Sequence, residues 1–190
     1  MQGALKIPYV SEDDYLAKEM LRQDKNEYVN GQVFAMTGAS APHNQIAGNV
    51  YVALRAKASK DCRVFISDLK FKADQLYYYP DVMVACTPQL NVYSESQPCL
   101  IVEVLSPSTE SVDRGEKLHN YQKASALEAY LLVSQKERRV DVYRRNDGSW
   151  QFESVISGEI ELSCPRMRLS LDAIYQDVEL DAELTRALTS

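Results

Sequence analysis

Two carboxylates stand in apolar surroundings in this sequence. Glu103 lies inside residues 100–105, which hold no other charged residue, and Asp81 opens a second apolar run at residues 82–84. A buried carboxylate is costly unless it is paired, hydrogen-bonded or bound to a metal ion. If the two runs form adjacent strands, both carboxylates can converge on one point. Mg²⁺ prefers one or two carboxylates completed by water and phosphate, so these residues are candidate metal ligands.

Each of the two residues also has an ordinary structural interpretation. Glu103 could be a strand-end glutamate that meets an arginine, since buried charges are often structural pairs. Asp81 could be a turn residue that follows residues 77–80. For Asp81 taken alone, the turn would be the favoured interpretation. The metal hypothesis therefore depends on the two carboxylates being neighbours.

A lysine on the next predicted helix completes the candidate site. Asp113, Lys117 and Tyr121 recur every four residues, so they share one face of a helix predicted over residues 113–126. The turn after Glu103 is short enough for this face to point toward it. Lys117 could then orient an attacking water or stabilise charge on a phosphate. For Asp113 we favour an i,i+4 ion pair on a solvated face, together with a capping role.

Three other polar residues have mainly structural interpretations. Glu27 precedes a predicted hairpin and has the character of a surface residue. His43 stands at a predicted helix start, where a hydrogen-bonded structural histidine is expected. Asp68 is either a turn residue or an outer member of the carboxylate group.

The elements that must position these residues follow from periodicity and turn signals. Asn30-Gly31 between apolar runs predicts a β-hairpin. Ser40 and Pro42 predict the start of a helix whose apolar residues Ile46, Val50 and Leu54 face the core. A further helix is predicted over residues 12–22. Strands are predicted over residues 63–66, 70–73, 81–86, 99–105, 130–134, 140–144, 150–156 and 166–171.

Composition predicts one globular domain over residues 1–190. Hydrophobic residues make up 45% and charged residues 25% of the chain, which are ordinary values. The apolar runs are too short to span a bilayer, and the N-terminus lacks the apolar region of a signal peptide. We therefore expect a cytoplasmic protein without membrane association. The net charge of −6 argues against a DNA binder that acts by charge alone, but it allows a local basic strip with bound cations.

The four cysteines are widely separated, and no Cys-x-x-Cys pair is present. This spacing argues against a zinc ribbon. Three of the four lie in or beside apolar segments, where a free cysteine behaves as a small buried hydrophobe. The sequence therefore predicts a packing role for them.

Several segments, taken together, resemble the Uma2 (DUF820) family, a branch of the PD-(D/E)xK nuclease superfamily. The resemblance runs from Ser11 to Leu171. It implies an α/β fold with a restriction-endonuclease-like mixed β-sheet core flanked by helices. The order and spacing of the matching segments carry it: residues 27–36, 43–46, 79–82, 101–109, 113–117 with Tyr121, 129–133 and 140–144.

The resemblance also implies a Mg²⁺- or Mn²⁺-dependent nuclease site. Asp81 matches the motif aspartate, Glu103 the motif acidic residue, and Glu27 the N-terminal helix glutamate that commonly joins the metal site. The superfamily places a lysine two residues after the acidic residue, where this chain has Leu105. Lys117 is the candidate spatial substitute. The expected substrate is nucleic acid, in particular DNA, and superfamily members often form homodimers.

The sequence thus leaves three functional hypotheses. The leading one is an endonuclease that uses Asp81, Glu103, Lys117 and Glu27. The rival is a catalytically inactive binding or assembly module. In it, four arginines could serve an interface or a nucleic-acid strip, although a solvated face is the favoured interpretation of them (Arg138, Arg139, Arg144 and Arg145). A two-carboxylate glycosidase is the weakest, because it requires neither the lysine nor the strand context. The tyrosines at residues 77–79 fit either an interface or the core.

Overall fold

The computed structural model describes residues 9–36, 38–88 and 91–180, which form two β-sheets, a separate two-stranded hairpin and several helices. The helical elements are α1 (Glu12–Glu19), α2 (Ala41–Lys57), α3 (Glu110–Val112), a π-helical turn (Asp113–Lys117), α4 (Leu118–Tyr121) and α5 (Leu171–Ile174). The strands are β1 (Asn26–Val29), β2 (Gln32–Ala35), β3 (Arg63–Ile66), β4 (Lys70–Ala73), β5 (Leu76–Tyr78), β6 (Val82–Ala85), β7 (Ser94–Glu95), β8 (Leu100–Leu105), β9 (Ala129–Ser134), β10 (Val140–Asn146), β11 (Ser149–Val155), β12 (Glu159–Leu162) and β13 (Met167–Ser170).

The larger sheet is mixed and has the strand order β11-β10-β9-β8-β6-β3. Only its β8–β9 pair is parallel, while its other neighbours are antiparallel. In the β6–β8 pair Val82 is opposite Val102. Asp81, one residue before β6, therefore stands opposite Glu103. The smaller sheet has the order β2-β1-β5-β4-β7, and β12 and β13 form the separate hairpin.

Alternation along β8 sends its residues to two different layers. Leu100, Val102 and Val104 belong to an aliphatic core that includes α2, the β12–β13 hairpin and α5. Ile101 and Leu105 face an aromatic core that lies between the larger sheet, the smaller sheet and the helix over residues 110–121. Successive side chains of a strand point to opposite faces. Glu103 therefore points into the aromatic layer, where few groups can compensate its charge.

Local signals in the sequence explain the elements around this layer. Asn30 and Gly31 have φ angles of 46° and 89°, which the tight β1–β2 hairpin requires and which glycine and asparagine tolerate. The Ser40 hydroxyl accepts a hydrogen bond from the His43 amide, so α2 begins there. Ile46, Val50 and Leu54 are fully buried, so these parts of the sequence prediction are confirmed.

The structure differs from the sequence prediction in two helices and three strands. Helix α1 ends at Glu19 rather than Arg22, and the helix predicted over residues 113–126 contains a π turn and ends at Tyr121. Strands β5, β7 and β12 are not predicted from the sequence, because they are only three, two and four residues long. In the described residues, no helix is long and apolar enough to cross a membrane.

The cysteines also depart from the prediction of free, separately packed thiols. Cys62 pairs with Cys86, and Cys99 pairs with Cys164, as two disulfides. The paired cysteines are 24 and 65 residues apart in the sequence, so neither pairing could be predicted from closeness along the chain.

Candidate active site

Asp81 and Glu103 hold each other in place across the β6–β8 pair. The Asp81 amide donates to Glu103 Oε2 at 3.3 Å, and the Val104 amide donates to Asp81 Oδ2 at 2.7 Å. Each carboxylate is thus fixed by the backbone of the opposite strand. The side chain of Asp81 is 18% exposed, whereas that of Glu103 is 4% exposed. Asp81 therefore lies nearer the mouth of the site, and Glu103 forms its floor.

Lys117 lies at the centre of three carboxylates. Its Nζ is 3.0 Å from Glu27 Oε1, 3.2 Å from Glu103 Oε1 and 3.3 Å from Asp113 Oδ1. The side chain is 7% exposed and its ammonium lies 5.5 Å from the centre of the Tyr78 ring. A lysine has three N–H donors, so each of the three carboxylates can receive one of them.

The π turn brings Asp113 into this group rather than leaving it on a solvated face. Asp113 is buried, with 2% of its surface exposed, which corrects the expected solvated face, while the expected i,i+4 ion pair with Lys117 is present. Its backbone carbonyl accepts a hydrogen bond from the Tyr130 hydroxyl at 3.1 Å. Its Oδ1 is buried without a hydrogen-bond partner of good geometry. Isolated π turns are frequently found at functional sites.

Glu27 and Tyr121 complete the inner face of the site. Glu27 lies on strand β1, after α1 rather than within a helix, and its Oε1 also accepts from the Tyr79 amide at 3.2 Å. The Tyr121 hydroxyl donates to Glu103 Oε1 at 2.9 Å. Because Tyr121 is completely buried, this hydrogen bond fixes the direction in which the Glu103 carboxylate points.

His43 reaches the open side of the site from the first turn of α2. Its Nε2 lies 3.3 Å from Asp81 Oδ2. Burial opposes protonation of the imidazole, but the hydrogen bond and charge of Asp81 and the Val104 carbonyl outweigh it, so the pKa of His43 is raised. His43 is therefore an added contact of the Asp81 carboxylate as well as a residue at a helix start.

We call the four carboxylates around Lys117 the acidic cluster: Glu27, Asp81, Glu103 and Asp113. These four acidic groups outnumber the single ammonium group of Lys117 that lies among them. Burial raises the pKa of Glu103 well above its ordinary value; Lys117 opposes this shift, and the other three carboxylates add to it. Burial likewise raises the pKa of Asp113. Desolvation disfavours the Lys117 ammonium, but Glu103, Glu27 and Asp113 overcome this and raise its pKa. Lys117 thus stays protonated and carries part of the compensating charge.

A family model described as "Putative restriction endonuclease" matches residues 12–174 of the chain. The chain belongs to the Uma2 family. Two relatives from Synechocystis sp. (strain ATCC 27184 / PCC 6803 / Kazusa) extend the match. The uncharacterized protein slr1290 is 37% identical over 177 residues, which cover 90% of this chain and 93% of the relative. The uncharacterized protein sll1609 is 30% identical over 164 residues, with 82% and 93% covered.

The fold of this Uma2 protein is similar to that of a solved structure described as "a putative nuclease belonging to DUF820 from Anabaena variabilis ATCC 29413". The TM-score is 0.66 at 16% identity, and the match covers 87% of this chain and 97% of the other. The predicted restriction-endonuclease-like α/β fold is therefore confirmed.

The donor set of the Uma2 site fits a hard divalent cation held by few protein ligands. Mg²⁺ typically binds one or two carboxylates and keeps several waters, and Asp81 and Glu103 supply such a pair beside excess negative charge. The Val104 amide engages Asp81 Oδ2, which leaves Oδ1 for an ion. Among the described residues, only sulfur atoms form a group of three or more potential side-chain ligands within 4.8 Å of one another. The carboxylates alone therefore do not make a closed, all-protein metal cage.

Other residues considered from the sequence lie outside this site. Asp68 has a left-handed backbone, with φ of 61°, and forms an exposed ion pair with Lys25, so it is a turn residue. The three tyrosines at residues 77–79 are buried, which favours core packing over an exposed interface. The arginines are engaged locally: Arg138, Arg139 and Arg144 in ion pairs, and Arg145 with backbone carbonyls.

A cleft with a volume of about 1200 Å³ lies elsewhere. Arginines and glutamates of β10, β11 and the β12–β13 hairpin line it together, and none of the acidic-cluster residues does. Its mixed charge gives no continuous basic strip. This cleft is therefore separate from the group of carboxylates around Lys117.

Three residues that contact the site were not predicted to belong to it from the sequence: Tyr121, His43 and Asp113, of which the last two had structural interpretations. Tyr121 shares the four-residue spacing of Asp113 and Lys117, and this spacing was the available signal for it. His43 and Asp113 gave weaker signals, because the first depends on the docking of α2 and the second on the π turn. The docking of α2 and the π turn both depend on tertiary contacts, which leave no local pattern in the sequence.

Proposed function

We propose that this protein is a Mg²⁺- or Mn²⁺-dependent endonuclease that hydrolyses phosphodiester bonds of DNA. The observation that carries the proposal is the pairing of Asp81 and Glu103 across adjacent strands, with Lys117 Nζ 3.2 Å from Glu103. The family description "Putative restriction endonuclease" supports DNA as the substrate class. A cytoplasmic location and a homodimer are compatible expectations that the proposal does not require.

Asp81 and Glu103 would hold the metal ion, with Glu27 assisting. When bound, the ion would neutralise phosphate charge and supply a water of lowered pKa. The protein's own part is positioning: Val104 and Asp81 amides fix the two carboxylates, and the Tyr121 hydroxyl orients Glu103.

Lys117 would orient the attacking water or stabilise the charge that develops on the phosphate. Its three carboxylate contacts mean that it must release one of them to reach the substrate. Asp113 is the partner to release, because its Oδ1 is the farthest from Nζ and lacks good hydrogen-bond geometry. Glu103 and Glu27 would then keep the ammonium charged and in place.

The test is cleavage of plasmid DNA by the full-length chain with Mg²⁺, with Mn²⁺ and with a chelator. We expect metal-dependent cleavage that falls by about 100-fold or more in Asp81→Asn and Glu103→Gln, the order found when one group that stabilises a transition state is removed. Asp68→Asn, at an exposed acid outside the site, is the matched control and should cleave normally. Full cleavage by Asp81→Asn would overturn the assignment.

The alternative is a catalytically inactive module that has kept the fold. It is favoured by Leu105, which occupies the position of the superfamily lysine and is buried in the aromatic core. Calorimetric titration of Mg²⁺ into the wild type and Glu103→Gln separates the two. Equal, weak binding in both proteins, together with no cleavage, would favour the inactive module.

A further inference from the structure

All four cysteines of the chain meet at one place in the fold. Cys62 follows α2, Cys86 directly follows β6, Cys99 directly precedes β8, and Cys164 lies in the β12–β13 loop. We call these residues the sulfur cluster. They lie at the ends of β6 and β8 that are opposite to Asp81 and Glu103. The cluster is therefore separate from the acidic cluster and is not used by the proposed hydrolysis.

The two disulfides of the sulfur cluster are in contact with each other. Cys86 Sγ lies 3.4 Å from Cys164 Sγ and 3.8 Å from Cys99 Sγ. The sulfur atoms of Cys86, Cys99 and Cys164 all lie within 4.8 Å of one another, and Cys62 is bonded to Cys86. A tetrahedral Zn²⁺ ion with Zn–S bonds of about 2.3 Å requires sulfur atoms about 3.8 Å apart. The contact between Cys86 and Cys99 already has this spacing, and the contact between Cys86 and Cys164 is somewhat shorter.

Stabilisation by disulfides does not require this convergence, because two bridges act independently of their distance. A tetrathiolate metal site does require it, since four ligands from separate segments must surround one point. The environment of the sulfurs also fits thiolate ligands. The Ser59 hydroxyl donates to Cys62 Sγ at 3.4 Å, and the hydroxyl of Thr87, next to Cys86, is buried without a hydrogen-bond partner. A hydrogen bond such as the one from Ser59 orients a ligand and tunes a metal site.

We propose that the sulfur cluster is a structural Zn²⁺ site in the reduced protein, and that the two disulfides are its oxidised state. Reduction by a dithiol transfers two electrons and two protons to each disulfide, giving four thiols and two molecules of oxidised, cyclic dithiol. Binding of Zn²⁺ then replaces four S–H bonds by four Zn–S bonds and releases four protons. In a reducing compartment, where thiols are kept reduced, the metal-bound form would be the working state.

Four protein ligands make this a closed site without a position for substrate. Cys62 and Cys99 are buried, with 9% and 6% of their surfaces exposed. The bound ion would join the end of α2, strands β6 and β8 and the β12–β13 hairpin, as the two disulfides do in the oxidised state. Its function would be to hold these segments together.

The experiment uses the full-length chain, reduced with excess dithiol and then freed of it without oxygen. Titration with Zn²⁺ against a chromogenic chelator should give one tightly bound ion per chain and protect all four thiols from a thiol reagent. Co²⁺ should give the intense visible absorption of tetrahedral thiolate coordination. The oxidised wild type should show neither result, which tests the proposal without any substitution.

Two variants locate the ion. Cys164→Ser should weaken Zn²⁺ binding more than about a hundredfold, beyond the usual effect of residues that only contact a ligand. Asp81→Asn should bind Zn²⁺ at the sulfur cluster normally, which excludes the acidic cluster as the site detected. Reduced wild type that binds Zn²⁺ while its four thiols remain reactive, or that binds none, would overturn the proposal. Cleavage activity enters none of these readouts, so the outcome is independent of the proposed nuclease function.

Discussion

Strands β6 and β8 carry different chemistry at their two ends. At one end Asp81 and Glu103 face each other beside Lys117, and at the other Cys86 and Cys99 lie 3.8 Å apart at their sulfurs. The acidic end is a buried excess of charge under any redox condition. The sulfur end is neutral as two disulfides and becomes anionic only as metal-bound thiolates.

This difference shows that one strand pair can position two sites in which buried charge is compensated in different ways. The carboxylates need cations, hydrogen-bond donors and partial solvent access at all times, because a buried charge cannot be left unpaired. The sulfurs pack as apolar atoms when paired with each other. The comparison predicts that each end should be perturbed without disturbing the other.

The largest effect is expected from reduction of the sulfur end in the absence of metal. The disulfides close chain segments of 24 and 65 residues, and their loss should lower the free energy of unfolding by about 5 kcal/mol in total. Urea unfolding of oxidised and reduced protein measures this, and Zn²⁺ should restore much of the loss only in the reduced protein. Equal stabilisation of the oxidised protein by Zn²⁺ would break the distinction between the two ends.

Loss of the central cation should be the largest change at the acidic end. Lys117→Met leaves three carboxylates around an apolar side chain, which should lower the free energy of unfolding by about 4 kcal/mol. Lys117→Arg keeps the positive charge and serves as the control, with a smaller loss. Zn²⁺ binding by the reduced variant should be unchanged. A Lys117→Met protein as stable as the wild type would show that the positive charge of Lys117 is not needed to stabilise the buried carboxylates.

A smaller effect is expected from the hydroxyl that orients Glu103. Tyr121→Phe removes a buried hydrogen bond to a carboxylate and should cost about 2 kcal/mol of stability. Tyr130→Phe removes a hydrogen bond to the neutral Asp113 carbonyl and should cost about 1 kcal/mol. Thermal or urea unfolding of the two variants compares them directly. If Tyr130→Phe lowered the free energy of unfolding more than Tyr121→Phe, the charge of Glu103 would not be what makes the Tyr121 hydrogen bond the stronger one.

The smallest effect is expected at the margin of the sulfur end. Ser59→Ala removes the hydroxyl that contacts Cys62 Sγ, so Zn²⁺ affinity of the reduced protein should fall about tenfold. Ser163→Ala, next to Cys164 but hydrogen-bonded to Glu128, is the matched control. Competition with a chromogenic chelator measures both variants. Identical affinities would show that the Ser59 contact does not tune the site.

The sequence predicts the acidic end better than the sulfur end for a physical reason. A carboxylate in or beside an apolar run is costly to bury, so Glu103 and Asp81 can be identified as candidate site residues from the sequence. The four-residue helical spacing adds Lys117 to them. A cysteine in an apolar run creates no conflict, since it packs like other small apolar residues. The convergence of Cys62 and Cys164 depends on contacts between distant segments and leaves no local pattern.

The fold shows the same division between local and tertiary causes. Caps and turns such as Ser40 and Asn30-Gly31 specify their own conformations, so these elements agree with the sequence prediction. The π turn and the burial of Asp113 do not follow from periodicity, which gives a shared helical face but not the environment of that face. Glu27 is the intermediate case, because family resemblance and not its own surroundings in the sequence brings it into the site.

The π turn has a consequence for the phase of the helix over residues 110–121. A π turn contains one residue more than the corresponding α-helical turn, and each residue of an α-helix advances the side-chain direction by about 100°. Removing one residue, for example Gly115, whose position has open space around it, would restore a regular helix. Asp113 could then not lie beside Glu103 together with Lys117 and Tyr121, because the two parts of the helix would be rotated relative to each other. The additional residue thus sets the angle between the two parts of the helix, so that side chains from both parts point toward the Glu103 carboxylate.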